Sequence, residues 1–225
     1  METISFSLLE LFRMGGFFMW PLLFFSVAVV AISLERAIYL GYHDLRMDDM
    51  GEVLSALIRD GDLVQGREYL SPLAKRRMGA RILLTLIERA NLGEHRMERA
   101  VESQATSCVN SLENGLNFLT ALGSLSPLTG FLGTVSGMIG AFKSIAEATE
   151  VNAQIVANGI YEALITTVFG LIIAIIAMIF HSIFSHIVDK FSADVEQTCS
   201  ELIIAMTVPR SRTGQIREMR LHDDH

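Results

Sequence analysis

VNAQIVANGIYEALITTVFGLIIAIIAMIFHSIFSHIV, from Val151 to Val188, contains a single acidic or basic residue, Glu162. A helix crosses the hydrocarbon core of a bilayer with about 20 apolar residues, so this stretch is long enough to span. Two others match it: Met14 to Leu34 and Asn114 to Phe142 carry no charge at all. Lipid gives backbone groups no hydrogen-bond partner, so such segments must be helices or barrel strands, and none shows the short alternating runs of a barrel. A soluble bundle with greasy core helices is the competing reading, but polar stripes would then run through these segments. The expected fold is an all-α membrane protein with three transmembrane helices, two of them long and extended into a cytoplasmic helical bundle.

Composition points the same way. The 225 residues are 51% hydrophobic and their mean hydropathy is +0.41, above what a soluble domain needs. The net charge of -7 is spread over mixed acidic and basic residues, which argues against nucleic acid as a partner. Cys108 and Cys199 both fall on the side expected to be reducing and lack metal-ligand spacing, so neither a disulfide nor zinc is indicated. No phosphate-binding glycine loop or nucleophile-base pair occurs, so no enzymatic chemistry and no bound cofactor is expected. The closing His222-Asp-Asp-His225 reads as a solvated polar terminus rather than a metal site.

Glu2 and Glu10 precede the first hydrophobic stretch where a signal peptide has a basic region, and Glu35-Arg36 follows it, so a retained anchor is expected. Of the 18 lysines and arginines, placing the amino terminus outside leaves only Arg13 and Lys143 there. Arg36, Arg46, Arg96, Arg99 and Lys190 lie near the opposite ends of the spans, as the positive-inside rule requires. Phe17, Phe18 and Trp20 at one end of the first span, with Tyr39 and Tyr42 at the other, fit headgroup anchors. A multi-pass membrane protein with its amino terminus outside and its carboxyl terminus in the cytoplasm is expected.

The chain then divides into an outer segment (1–13), a first transmembrane helix (14–42), a cytoplasmic helical domain (43–113), a second (114–142), a short periplasmic loop (143–152), a third (153–188) and a cytoplasmic carboxy-terminal helix and tail (189–225). Within the cytoplasmic domain, Met47 to Arg59 and Leu63 to Leu70 read as short helices separated by Asp60-Gly61-Asp62. Ser71-Pro72 reads as a cap and first residue of another, ending near Asn91-Leu92-Gly93. No strong breaker separates Glu94 from the second span, which predicts one helix of about 50 residues, roughly 75 Å long.

Gly130, Gly133, Gly137 and Gly140 are spaced three, four and three, on one helical face with Thr134 and Ala141. Gly159, Ala163, Thr167, Gly170, Ala174 and Ala177 repeat the design in the third span. Small residues let helices approach closely in lipid, where no hydrophobic drive joins them. Two such faces exceed what three helices need, so contact with other subunits is expected. Thr134 and Thr167 either bond their own helix carbonyls or line a polar path. Glu162 lies roughly 10–15 Å inside the span by helical rise, where a charge is costly unless paired or hydrated. Its plainer reading is an interfacial carboxylate near a helix start capped by Asn158.

Ser126-Pro-Leu-Thr-Gly-Phe-Leu-Gly-Thr-Val-Ser-Gly-Met-Ile139 resembles the second-helix signature of the MotA/TolQ/ExbB proton channel family, and Gly159-Ile-Tyr-Glu-Ala-Leu-Ile-Thr-Thr-Val-Phe-Gly-Leu171 the third. Met19-Trp-Pro-Leu-Leu23 and Leu34-Glu-Arg-Ala-Ile-Tyr-Leu40 match the first, so the likeness covers nearly the whole chain and is closest to the ExbB and TolQ branch. It implies a homopentameric stator around a dimer of a single-span ExbD/TolR-like partner, whose intramembrane aspartate carries the proton, with a TonB/TolA-like protein as a further partner. Protons would be the coupling ion, energising an outer-membrane or envelope process. Thr134, Thr167 and Glu162 would form the proton pathway, and Pro127 with the glycines would shape helix packing and pore. Ile176 stands where the family usually has proline, leaving gating at that end open; His181 and His186 beyond it read as interfacial or as a proton exit. The alternative is a non-conducting oligomeric membrane scaffold. A substrate transporter is disfavoured, since no inverted repeat appears.

Overall fold

The computed structural model describes residues 12–147 and 153–207. Most of the expected outer segment, the end of the periplasmic loop, and the tail with Pro209 and the terminal histidines lie outside the described residues. The described chain is helical, with α1 Met19–Tyr42, α2 Asp48–Asp60, α3 Leu63–Leu73, α4 Met78–Arg89, α5 Glu94–Glu113, α6 Leu116–Glu147 and α7 Ala153–Thr207. It contains no strand among the described residues, only an isolated bridge between Asp44 and Arg77. Three helical stretches, Met19–Tyr42, Glu94–Glu147 and Val156–Thr207, are long and apolar enough to cross a membrane. The expected fold class is therefore observed.

Two units make up the chain. Of the described residues, the first comprises 12–38, 115–147 and 153–185, and holds α1 as far as Ile38, α6 and the first part of α7. On α1, Phe24, Val27, Val30, Leu34 and Ile38 are all more than half exposed at helical spacing, while Met19, Leu22, Val29 and Ser33 are buried behind them. A continuous apolar stripe of this kind would be a liability in water and suits lipid. Arg36 is buried and reaches the Glu35 carboxylate at 2.5 and 2.7 Å, an ion pair where the span ends.

Of the described residues, the second unit comprises 39–114 and 186–207. Met50, Leu54 and Ile58 recur every four residues on α2, which makes one buried face. Gly61 ends α2 in the left-handed region at φ 81°, and its N–H donates to Ile58 O. The Asp62 carboxylate caps α3, accepting from Gln65 N–H at 3.0 Å. On α4, Met78, Ala80, Ile82, Leu83, Leu86 and Ile87 are buried, and Gly79 lets the Met47 and Met50 side chains close over the helix. An ion pair of 2.6 Å joins Arg77 to Asp44. Val188, Phe191, Val195, Cys199 and Leu202 form the buried seam of distal α7.

Two expectations need correction. Ser71 and Pro72 do not start a helix; Pro72 lies in the last turn of α3, which runs to Leu73, and the next helix begins at Met78. A proline so near a carboxyl end forfeits only one backbone bond, and the turn past it is held by Arg77 N–H on Leu73 O at 2.8 Å. Nor is the run from Glu94 one helix. It stops at Asn114, and Gly115 takes φ 92°, where a side chain is strained. A Cβ on Gly115 would also come within 3.3 Å of the Arg36 Nε, so the break is built around a buried guanidinium far away in sequence.

Candidate functional site

Helices α6 and α7 pack through missing side chains. A Cβ placed on Gly130 would lie 2.8 Å from Thr166 O, on Gly137 3.0 Å from Gly159 O, and on Gly170 2.6 Å from Ser126 O. Gly159 faces Ala141, where a Cβ would come within 2.7 Å of the alanine methyl, and Ala163 is buried beside Gly137. At Gly130, Gly137 and Gly170 the neighbour is backbone, so even an alanine methyl there would crowd the facing helix. Gly140 is the exception, with nothing within 4 Å of its Cβ position. Pro127 sits within α6, removing the N–H that would bond Gly123 O, and the adjacent Ser126 hydroxyl donates to Leu122 O at 2.6 Å.

Close approach brings three threonines onto one carbonyl. The hydroxyls of Thr166 and Thr167 on α7 each lie within donating distance of Gly130 O, at 3.2 Å, and Thr134 lies 3.4 Å from the same oxygen. Thr134 and Thr167 Oγ1 are 3.2 Å apart, and either can be the donor. A carbonyl oxygen has two lone pairs, and in a helix one is already engaged, so the three hydroxyls cannot all bond it at once. Each has a second acceptor: Phe131 O at 2.7 Å for Thr134, Ala163 O at 2.8 Å for Thr166, and the neighbouring hydroxyl for Thr167. The pair can therefore reverse its donor direction by rotation about Cβ–Oγ alone. Thr134 and Thr167 are both half-buried, so the pair reaches the helix surface.

Glu162, five residues before Thr167, is half-buried and lines a cavity of about 310 Å³ with Gly133, Ser136, Gly137, Gly140 and Ser144. Gly133 joins the two features, since a Cβ there would strike the Thr166 hydroxyl while the residue also lines the cavity. Asn158 is not a cap. It lies inside α7, its side chain accepting from Gln154 Nε2 at 3.3 Å, so helix-end stabilisation of Glu162 has no structural basis.

The structure thus brings together Thr134, Thr167, Gly130 and Gly133, and sets Glu162 one to two turns away on the same helix. Sequence reasoning missed Thr166, which is 1% exposed. Its signal was legible, because position 166 follows Ala163 by three and precedes Gly170 by four, on the same small-residue face. His181 is half-buried, His186 is exposed, and neither adjoins the threonines in sequence or in bonding.

The model of the MotA/TolQ/ExbB proton channel family matches residues 70–197. The chain is 31% identical to the biopolymer transport protein ExbB-like 3 of Synechocystis over 199 residues, covering 82% of this chain and 88% of that one. It is 27% identical to the biopolymer transport protein exbB1 of Vibrio cholerae over 206 residues, 85% of each. A shorter match of 96 residues, 38% identical, links it to the Tol-Pal system protein TolQ of Haemophilus influenzae, covering 43% of this chain and 42% of that one. With three membrane-spanning helices and this match, the chain is a multi-pass membrane protein that belongs to the MotA/TolQ/ExbB proton channel family, close to ExbB and TolQ.

Proposed function

We propose that this chain is the ring-forming, proton-conducting subunit of an inner-membrane motor that turns the proton-motive force into work on an envelope or outer-membrane process. The observation that carries the reading is the Thr134–Thr167 hydroxyl pair, 3.2 Å apart and able to reverse its donor direction, between two glycine-packed spans. Hydroxyls relay and orient protons but do not store one at neutral pH. No aspartate or lysine lies in the middle of α6 or α7 to do so. The carrier is then a carboxylate on a single-span partner, held inside a homopentamer of this chain, with Glu162 receiving protons nearer the outer face. The amino terminus is periplasmic and the carboxyl terminus cytoplasmic. Each proton crossing 100 mV releases about 2.3 kcal/mol, so several power one conformational step.

The test is proton flux into liposomes from the complex purified after co-expression with the proposed single-span, aspartate-bearing partner. Partner-dependent flux that Thr134→Val/Thr167→Val removes, with assembly intact, supports the reading. Flux that persists in the double variant contradicts it. The glycine interface favours a second reading, an oligomeric scaffold that conducts nothing. It predicts that the threonine and Glu162→Gln changes are silent in the driven process.

A further inference from the structure

Gly16 belongs to no motif singled out in the sequence. It lies in the turn Gly15-Gly16-Phe17-Phe18 ahead of α1, at φ +65°, a conformation that L side chains rarely adopt. A Cβ on Gly16 would overlap Glu162 Oε1 and sit 2.7 Å from its Cδ. The carboxylate of Glu162 therefore rests against bare backbone, at the edge of the cavity that Gly15, Phe17 and Phe18 close together with α6. A cavity of about 310 Å³ is far larger than one water needs, so water can reach the Glu162 carboxyl within the span.

The geometry points to Gly16 as the positioning residue for Glu162, the turn holding the carboxylate at the cavity wall where protons from the outer side first meet a titratable group. This rests on the proton-conducting reading above. A side chain at Gly16 meets the far end of a flexible glutamate, so the carboxylate gives way before the backbone does. The effect falls on proton delivery and spares helix packing. Shortening Glu162 by one methylene makes room for the added methyl group.

Flux is measured on the purified complex with its partner for Gly16→Ala, Glu162→Asp and the two combined, beside Thr134→Val/Thr167→Val. Gly16→Ala is expected to lower flux at least fivefold with an unchanged oligomer on native gels. Glu162→Asp lowers it too, and the combined variant runs faster than either alone. Native-like flux in Gly16→Ala, or a combined variant no faster than the singles, overturns the proposal. Gly93, at φ +85° with nothing within 4 Å of its Cβ position, supplies the control for backbone strain. An equal loss in Gly93→Ala reduces the effect to strain and also overturns it. Should Gly16→Ala not assemble, Glu162→Ala in the same chain restores assembly if the carboxylate contact is the cause; failure in both overturns the proposal. Loss of flux in the threonine variant with normal Gly16→Ala sinks this inference alone, whereas flux that survives the threonine change sinks the conduction reading.

Discussion

Thr166 separates packing from conduction at the scale of one side chain. Its buried hydroxyl has one proton to donate, to Ala163 O at 2.8 Å or Gly130 O at 3.2 Å, and it makes no bond to the Thr134–Thr167 pair. Valine keeps its shape and loses one interhelical bond, which in a membrane protein is worth about 0.6 kcal/mol on average. Thr166→Val is expected to cost under about 1 kcal/mol in denaturant titration of the complex and to keep most of the flux. Cys199, beyond the apolar run that ends at Val188, offers a test in the second unit. Burial pushes its thiol from 9.0 up to about 12, because the thiolate has no water around it there. In the native protein at pH 8, maleimide labelling of Cys199 should be at least tenfold slower than after denaturation. The unfolded chain releases this proton near pH 9 and the folded one does not, so stability falls as pH rises from about 9 towards 12. The residues that mark the site were readable because hydroxyls and one carboxylate stand out in apolar spans. Gly16 was not, since its role depends on a side chain 146 positions later that no local pattern links to it.

The α6–α7 contact is the element on which the site depends, because the threonines meet only if the two backbones touch. A Cβ on Gly137 would lie 3.0 Å from Gly159 O and 3.1 Å from Ala163 Cβ, neither of which can yield without separating the helices. Gly137→Leu should therefore abolish the assembled complex on native gels, and with it any flux, whichever functional reading holds. In the second unit, α4 is anchored by Leu83, which is fully buried. Leu83→Ala is expected to cost about 2–5 kcal/mol of that unit's stability, read as earlier thermal unfolding of the purified protein. Spans and short amphipathic helices were legible from charge-free runs and four-residue spacing, which are local signals. The break at Asn114–Gly115 falls at the very start of a charge-free run, and glycine is needed there for its φ of 92°, beside the Arg36 guanidinium 79 residues earlier. Pro72 misled for a related reason: proline is tolerated at either end of a helix, and sequence alone does not say which end it occupies.

For the whole molecule, membership of the proton channel family and the paired threonines leave two accounts that agree on every helix and differ on one event, the passage of protons. The scaffold account needs glycine packing and nothing from the hydroxyls. The motor account needs both, and a proton-carrying aspartate on a partner, since the second and third spans hold no aspartate or lysine in mid-membrane. Proton flux into liposomes, measured for the complex with its single-span partner, for this chain alone, and for Thr134→Val/Thr167→Val with the partner, separates them. The motor account predicts flux in the first, none above background in the second, and at least a tenfold loss in the third with the oligomer intact. Equal flux in the first and third, or none from an intact and activated first, would contradict it.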